Sequence, residues 1–180
     1  MKKTMLAFAV SALMVAGAAQ AATDANDQSA TLSVTGSVTK EFSCAVNLSQ
    51  TTVSINADLE DLKAQGIQHV PTNSVELTVS GGTDCNDMVS QGKIAYTFHG
   101  TADNADGNVV ANSLTDSTAA RGVGIGLFDL HGNSIALNNG ILSANAGGPT
   151  QLGLDVVSLM NQAPTAGAVQ GQVTIQIERL

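Results

Sequence analysis

The sequence predicts an all-β protein, an antiparallel sandwich of short strands. Three observations carry that reading. Turn residues divide the chain into short β-rich runs, only one stretch suits a helix, and aromatics make up 3% of residues. The core therefore falls to Val, Ile, Leu and Ala, a composition that suits sheets. No repeat with a period of roughly 20 to 50 residues is present, which sets solenoids and propellers aside.

The chain opens with Lys2 and Lys3, an apolar run from Met5 to Ala16 and the small-x-small pattern Ala19-Gln20-Ala21. That order reads as an export signal cleaved after Ala21, because the apolar run is shorter than the roughly 20 residues a bilayer span requires. Residues 1–21 are thus expected to be a signal peptide, and their loss leaves 159 of 180 residues and moves the formal charge from -8 to -10. One modest core fits that length; two full domains do not. The remaining cations are Lys40, Lys63, Lys93, Arg121 and Arg179, with no basic cluster interleaved with aromatics. Such a chain repels phosphate backbones, so no nucleic acid partner is expected.

Residues 22–29 are polar. From Ala30 to Thr39 small or apolar residues (Ala30, Leu32, Val34, Gly36, Val38) alternate with hydroxyl residues, which reads as a strand with one apolar edge. Pattern alone leaves open whether that strand pairs within its own chain. Phe42–Leu48 and Thr51–Ile55 read as two further strands divided by Ser49 and Gln50. Asp58 to Gly66 is the helix candidate, with acids in its first turn, Leu59 and Leu62 three apart, Lys63 late and Gly66 at the cap position. Val75–Ser80, Ile94–His99, Gly122–Asp129 and Ser134–Leu137 follow as strands, the last two joined by a hairpin at His131-Gly132-Asn133. Gln151–Met160 has strand-like spacing that does not exclude a helical turn. The chain closes on a long strand, Ala168–Leu180, with Val169, Gly171, Val173, Ile175 and Ile177 on one face.

Cys44 and Cys85 are an even pair in an exported chain and are expected to form one disulfide. Closing a loop of about 40 residues stabilises a fold by about 4 kcal/mol in the chain-entropy treatment. There is no C-x-x-C for redox exchange and no adjacent histidine for a metal site. His69, His99 and His131 stand at no metal-ligand spacing, and no G-x-S-x-G elbow is present. No catalytic residue, metal or cofactor is expected. Asp103-Asn104-Ala105-Asp106-Gly107-Asn108 resembles a calcium loop only at first sight. With Gly107 sixth, the first ligand becomes Ala102 and no glutamate stands twelfth, so the stretch reads as a solvated turn.

Taken in order, these pieces resemble the pilins of the chaperone-usher pathway, close to the type 1 fimbrial subunits, over nearly the whole chain. The resemblance is carried by the Ala-rich signal end, the alternating extension with Gly36, Cys44-Ala45-Val46 and Cys85 further on. Ile94-Ala-Tyr-Thr-Phe-His-Gly100, Gly122-Val-Gly-Ile-Gly-Leu-Phe-Asp-Leu-His-Gly-Asn133, Gly167 and the alternating last strand complete it. One residue departs from the pattern: Arg179 is penultimate, where the family commonly carries an aromatic.

The resemblance implies an immunoglobulin-like antiparallel sandwich that lacks its final strand and is completed by a donor strand from another subunit. It implies a division into residues 22–39, the donor extension, and 40–180, the pilin domain. The donor residues would be Ala30, Leu32, Val34, Gly36 and Val38, and the acceptor strand would present Val173, Ile175 and Ile177. It further implies neighbouring pilin subunits, a periplasmic chaperone and an outer-membrane usher as partners, and a surface fimbria used for adhesion to a host receptor. The alternative is a one-domain adhesin or carbohydrate-binding tip subunit. Against it stand the lack of room for a separate lectin domain and the absence of Trp beside a single Tyr for stacking on sugar.

Overall fold

The computed structural model describes residues 31–38 and 41–180. The expected signal peptide, residues 22–29, Ala30, Thr39 and Lys40 lie outside the described residues. The chain divides into two units, Met1–Thr39 and Lys40–Leu180. In the first, residues 31–38 form no strand: Leu32, Val34 and Val38 are exposed, and nothing lies within 4 Å of where a side chain on Gly36 would begin. The expected strand is absent for a physical reason. A lone strand leaves its backbone groups unpaired and has no packed face to hold it.

The second unit is built in the order β1 (Ala45–Leu48), β2 (Lys63–Ala64), β3 (Asn73–Ser80), α1 (Thr83–Ser90), β4 (Ile94–Gly100) and β5 (Val110–Ala111). It continues with β6 (Val123–Phe128), β7 (Ser134–Ile135), β8 (Ile141–Ser143), β9 (Thr150–Ser158) and β10 (Val173–Arg179). One sheet runs β1-β3-β9-β6-β5, with β2 added to β9 and β7 to β6; the other runs β10-β4-β8. All pairs are antiparallel except β2 with β9. The predicted all-β sandwich is what forms.

Between the sheets lie Leu77, Ile94, Tyr96, Phe98, Leu127, Leu137 and Leu152, all nearly inaccessible. A second, smaller cluster of Val109, Phe128, Val157 and Leu159 is separate from this one. Alternation along β6 explains the division: Ile125 and Leu127 belong with the main core, while Gly124, Gly126 and Phe128 take the opposite parity. A Cβ on Gly126 would stand 2.7 Å from the Phe128 ring, so the missing side chain is what lets that ring lie down. Phe128 is covered by the edge of His69, with ring centroids 4.5 Å apart.

Three expectations differ from what this unit shows. Asp58–Gly66 is not a helix. It is a turn closed by Asp61 N–H to the Asp58 carbonyl, then β2, whose Lys63 and Ala64 pair with Val157 and Ser158. A free sheet edge next to the segment outcompetes a short helix of weak propensity. The helix forms instead at Thr83–Ser90, where Cys85, Met88 and Val89 recur at helical spacing and pack on the core. Thr51–Ile55 is extended but belongs to no ladder. The final strand is shorter than expected, because only Val173–Arg179 pair with β4 while Ala168 and Gln170 bond to residues 112–113, 118 and 120.

Candidate functional site

Leaving the sandwich open along one flank are β1, which pairs only with β3, and β10, which pairs only with β4. Each strand therefore keeps one unpaired edge on that flank. Val173, Ile175 and Ile177 alternate with exposed Thr174, Gln176 and Glu178, so the predicted apolar face of β10 is present, but its members are only half-buried. Val169 and Gly171 continue the same face beyond the ladder. On the facing side, residues 51–62 bring Val53, Ile55, Leu59 and Leu62. Between these two walls lie adjoining cavities of about 620 Å³ and about 330 Å³. Both are lined by Ile55, Val156 and Val169, which makes them one trough.

The floor is the informative part. Ile125 and Val156 are directly paired in the middle of the larger sheet, yet both are only half-buried. Apolar residues at the centre of a sheet are normally covered, and these two are covered only in part. The walls run in opposite directions. Phe42 meets Arg179 at one end, residues 51–55 face 169–172, and residues 56–62 face 165–169 at the other.

The wall at 165–172 is tied down by Asn112. Its Nδ2 donates to the carbonyls of Ala120 and Ala168, and its Oδ1 accepts from the amides of Leu114 and Gln170. Gly167 permits the approach, since a Cβ there would stand 2.3 Å from the amide nitrogen of Ala120. At the other end the Cys44–Cys85 disulfide is formed, as expected, and fixes the start of β1 to α1. Gly81 makes room for it, with φ +139 and a would-be Cβ 2.6 Å from the Cys85 sulfur.

Sequence reasoning gives wall residues 51–62 structural readings and assigns no site role to them or to the floor residues Ile125 and Val156. The alternation of Val53 and Ile55 with hydroxyl and amide neighbours was the available signal. Asn112 and Gly167 as wall fasteners had none, because their partners are distant in sequence.

Other groups are spent elsewhere. The expected turn at residues 103–108 forms, and it is organised around the buried Asp103 carboxylate, which accepts from the amides of Ala105, Asp106 and Val109. Burial opposes ionisation of Asp103, and these amides outweigh it, holding its pKa below the ordinary value. Asp106 meets the side chain of buried Gln65, which docks the loop on β2. His69 lies 3.2 Å from Asp155, His99 is on β4, and His131 is at an exposed hairpin tip. A further cavity of about 830 Å³ between the β6–β7 turn and β8 includes Asp129, His131 and Asn133. There Asp129 is committed to the amides of His131 and Asn133. No Phe, Tyr or Trp lines it.

The body is thus all-β and two-sheeted, with an unpaired edge on β10 beside a trough floored by half-buried apolar residues. The model of the family described as fimbrial protein matches residues 32–178 of this chain. The chain belongs to that family. Among curated proteins no match was found.

Proposed function

We infer that this chain is a structural subunit of a surface fimbria that polymerises by donor-strand exchange, the segment Ala30–Val38 of one copy lying in the trough of the next. The observation that carries this reading is the half-burial of Ile125 and Val156 at the centre of a sheet, beside the unpaired edge of β10. On this reading Val173, Ile175 and Ile177 are the acceptor strand. Ala30, Leu32, Val34 and Val38 fill the trough, and Gly36 sits where the backbones come closest. The exposure of Leu32, Val34 and Val38 supports it, since apolar side chains on a donor must be free before exchange.

An empty apolar trough with an open edge is an aggregation hazard. A periplasmic chaperone therefore lends a strand first, and the outer-membrane usher is where the next subunit's extension replaces it. The signal peptide delivers the chain to that compartment, and residues 22–39 serve as the extension to a pilin domain of residues 40–180. The assembled fibre carries adhesion to a host receptor; the subunit itself performs no catalysis. Deleting residues 22–39 tests this. The truncated chain should still be exported, form its disulfide and bind the chaperone, yet fail to extend a fibre. Filaments built from it alone would overturn the donor assignment.

A further inference from the structure

Arg179 continues the alternation of Val173, Ile175 and Ile177, so it belongs to the face of β10 turned toward the trough, and it bridges to Phe42 on the opposite wall. The trough thus ends at a fixed guanidinium. At its other end Asp58 lines the cavity, with Glu60 and Asp61 beside it against Lys63. The two ends differ in the charge that meets an incoming strand.

We propose that these end charges set the direction in which the extension of a second copy enters the trough, through Lys40 of that copy. This rests on the strand-exchange reading above. Five donor positions, Ala30 to Val38, match five on the wall, Val169 to Ile177. Laid antiparallel to β10, Ala30 falls level with Ile177 and Val38 with Val169, which carries Lys40 to Gly167, in the cavity that Asp58 lines. Asp27 then emerges beside Arg179. Laid parallel, Lys40 falls level with Arg179 itself, and Asp24 and Asp27 are carried toward the three carboxylates. The antiparallel entry makes two attractive meetings and the parallel entry two repulsive ones.

Other charges near the Arg179 end are Glu41 and Lys93, while Glu178 lies on the opposite face of β10. Exposed pairs each shift an equilibrium by a factor of about two to five, so the end contacts together favour the antiparallel direction roughly tenfold.

Cysteine pairs read the direction in fibres of the full chain. Thr31→Cys with Gln176→Cys reports antiparallel entry, and Ser37→Cys with Gln176→Cys reports parallel entry, each as a ladder of cross-linked multimers on a non-reducing gel. The first pair should cross-link about tenfold more than the second. Adding Lys40→Glu should bring the parallel ladder to at least the level of the antiparallel one at low salt. Arg179→Glu together with Asp58→Lys, made with Lys40 retained, should move the ratio toward the parallel ladder, because Lys40 and Asp27 then each meet a like charge in the antiparallel entry. An unchanged ratio after Lys40→Glu overturns the charge proposal while leaving strand exchange standing. Absence of both ladders in otherwise unaltered fibres overturns strand exchange itself, and this inference with it.

Discussion

The guanidinium of Arg179 lies 4.4 Å over the ring of Phe42, and its Nη2 donates to the Phe42 carbonyl at 2.7 Å. The last residue of β10 is thereby fastened across the trough to the residue two before Cys44. In the resemblance drawn from sequence, this position departed from an aromatic. The structure supplies the aromatic from the opposite wall. A ring and a cation meet there, and the two walls that share no ladder are joined at one end.

Arg179→Ala is expected to lower stability by about 1 to 2 kcal/mol, the sum of a hydrogen bond to a carbonyl and a cation–ring contact at an exposed site. Phe42→Leu removes only the ring. A double-mutant cycle read by urea unfolding should therefore show about 0.5 to 1 kcal/mol of coupling. Additivity of the two changes would mean the ring contact contributes nothing.

Asn112→Ala should cost about 2 to 4 kcal/mol, because four backbone groups from three segments lose their partner at once. Gly167→Ala should act on the same wall by a different route, forcing Ala119 and Ala120 away from residue 167. Both substitutions lie far from the disulfide, so free-thiol titration should find Cys44 and Cys85 still paired. Hydrogen exchange should rise in residues 165–172 before it rises in β4. Loss of protection spread evenly over both sheets would contradict the assignment of a local wall.

Much of this architecture was legible where a strand has one wet and one dry face. β10 and the strand pair β6–β7 showed themselves through alternation or through a turn at Gly132, whose φ is +77. What the sequence concealed depended on partners. Thr51–Ile55 alternates correctly, yet among the described residues no strand pairs with it, and alternation alone does not report pairing. The helix at Thr83–Ser90 is polar except for Cys85, Met88 and Val89, and its reason for forming is a bond to Cys44 and contact with the core. Asp58–Gly66 has helical end signals but sits beside an open sheet edge that takes Lys63 and Ala64. The apolar face on β10 was readable; the trough opposite it required three dimensions.

Acid should loosen the loop at Asp103. Its pKa is held below the ordinary carboxylate value, so the unfolded chain binds more protons than the folded one as the pH drops. The stability that Asp103 contributes is complete above its unfolded pKa and is lost as pH falls through the lower, folded value. Asp103→Asn should be less stable at neutral pH by about 1 to 3 kcal/mol, since an amide is a poorer acceptor for these N–H groups. The gap between the two proteins should narrow below about pH 4, as seen by urea midpoints measured across the acid range. Asp129, also held low against burial by the Asn133 and His131 groups, leaves an acid slope in the variant. A gap that widened in acid would contradict the sign.

Val156→Asp tests the proposed strand exchange. In the unfilled trough Val156 is half-exposed beside Ile125, so a carboxylate there keeps contact with water and the fold should survive with a modest loss. If a donor strand covers the floor, as proposed, the same carboxylate is sealed under an apolar ribbon without a partner, which costs several kcal/mol. The variant should therefore be exported with its disulfide intact, and its fibres should be absent or should dissociate at far lower temperature than the unaltered polymer. The control is Leu130→Asp, on a side chain that is 67% exposed and outside the trough, which should leave fibres unchanged. If Val156→Asp polymerised and melted like the control, no strand would be covering the floor, and the uncovered centre of the sheet would need another explanation.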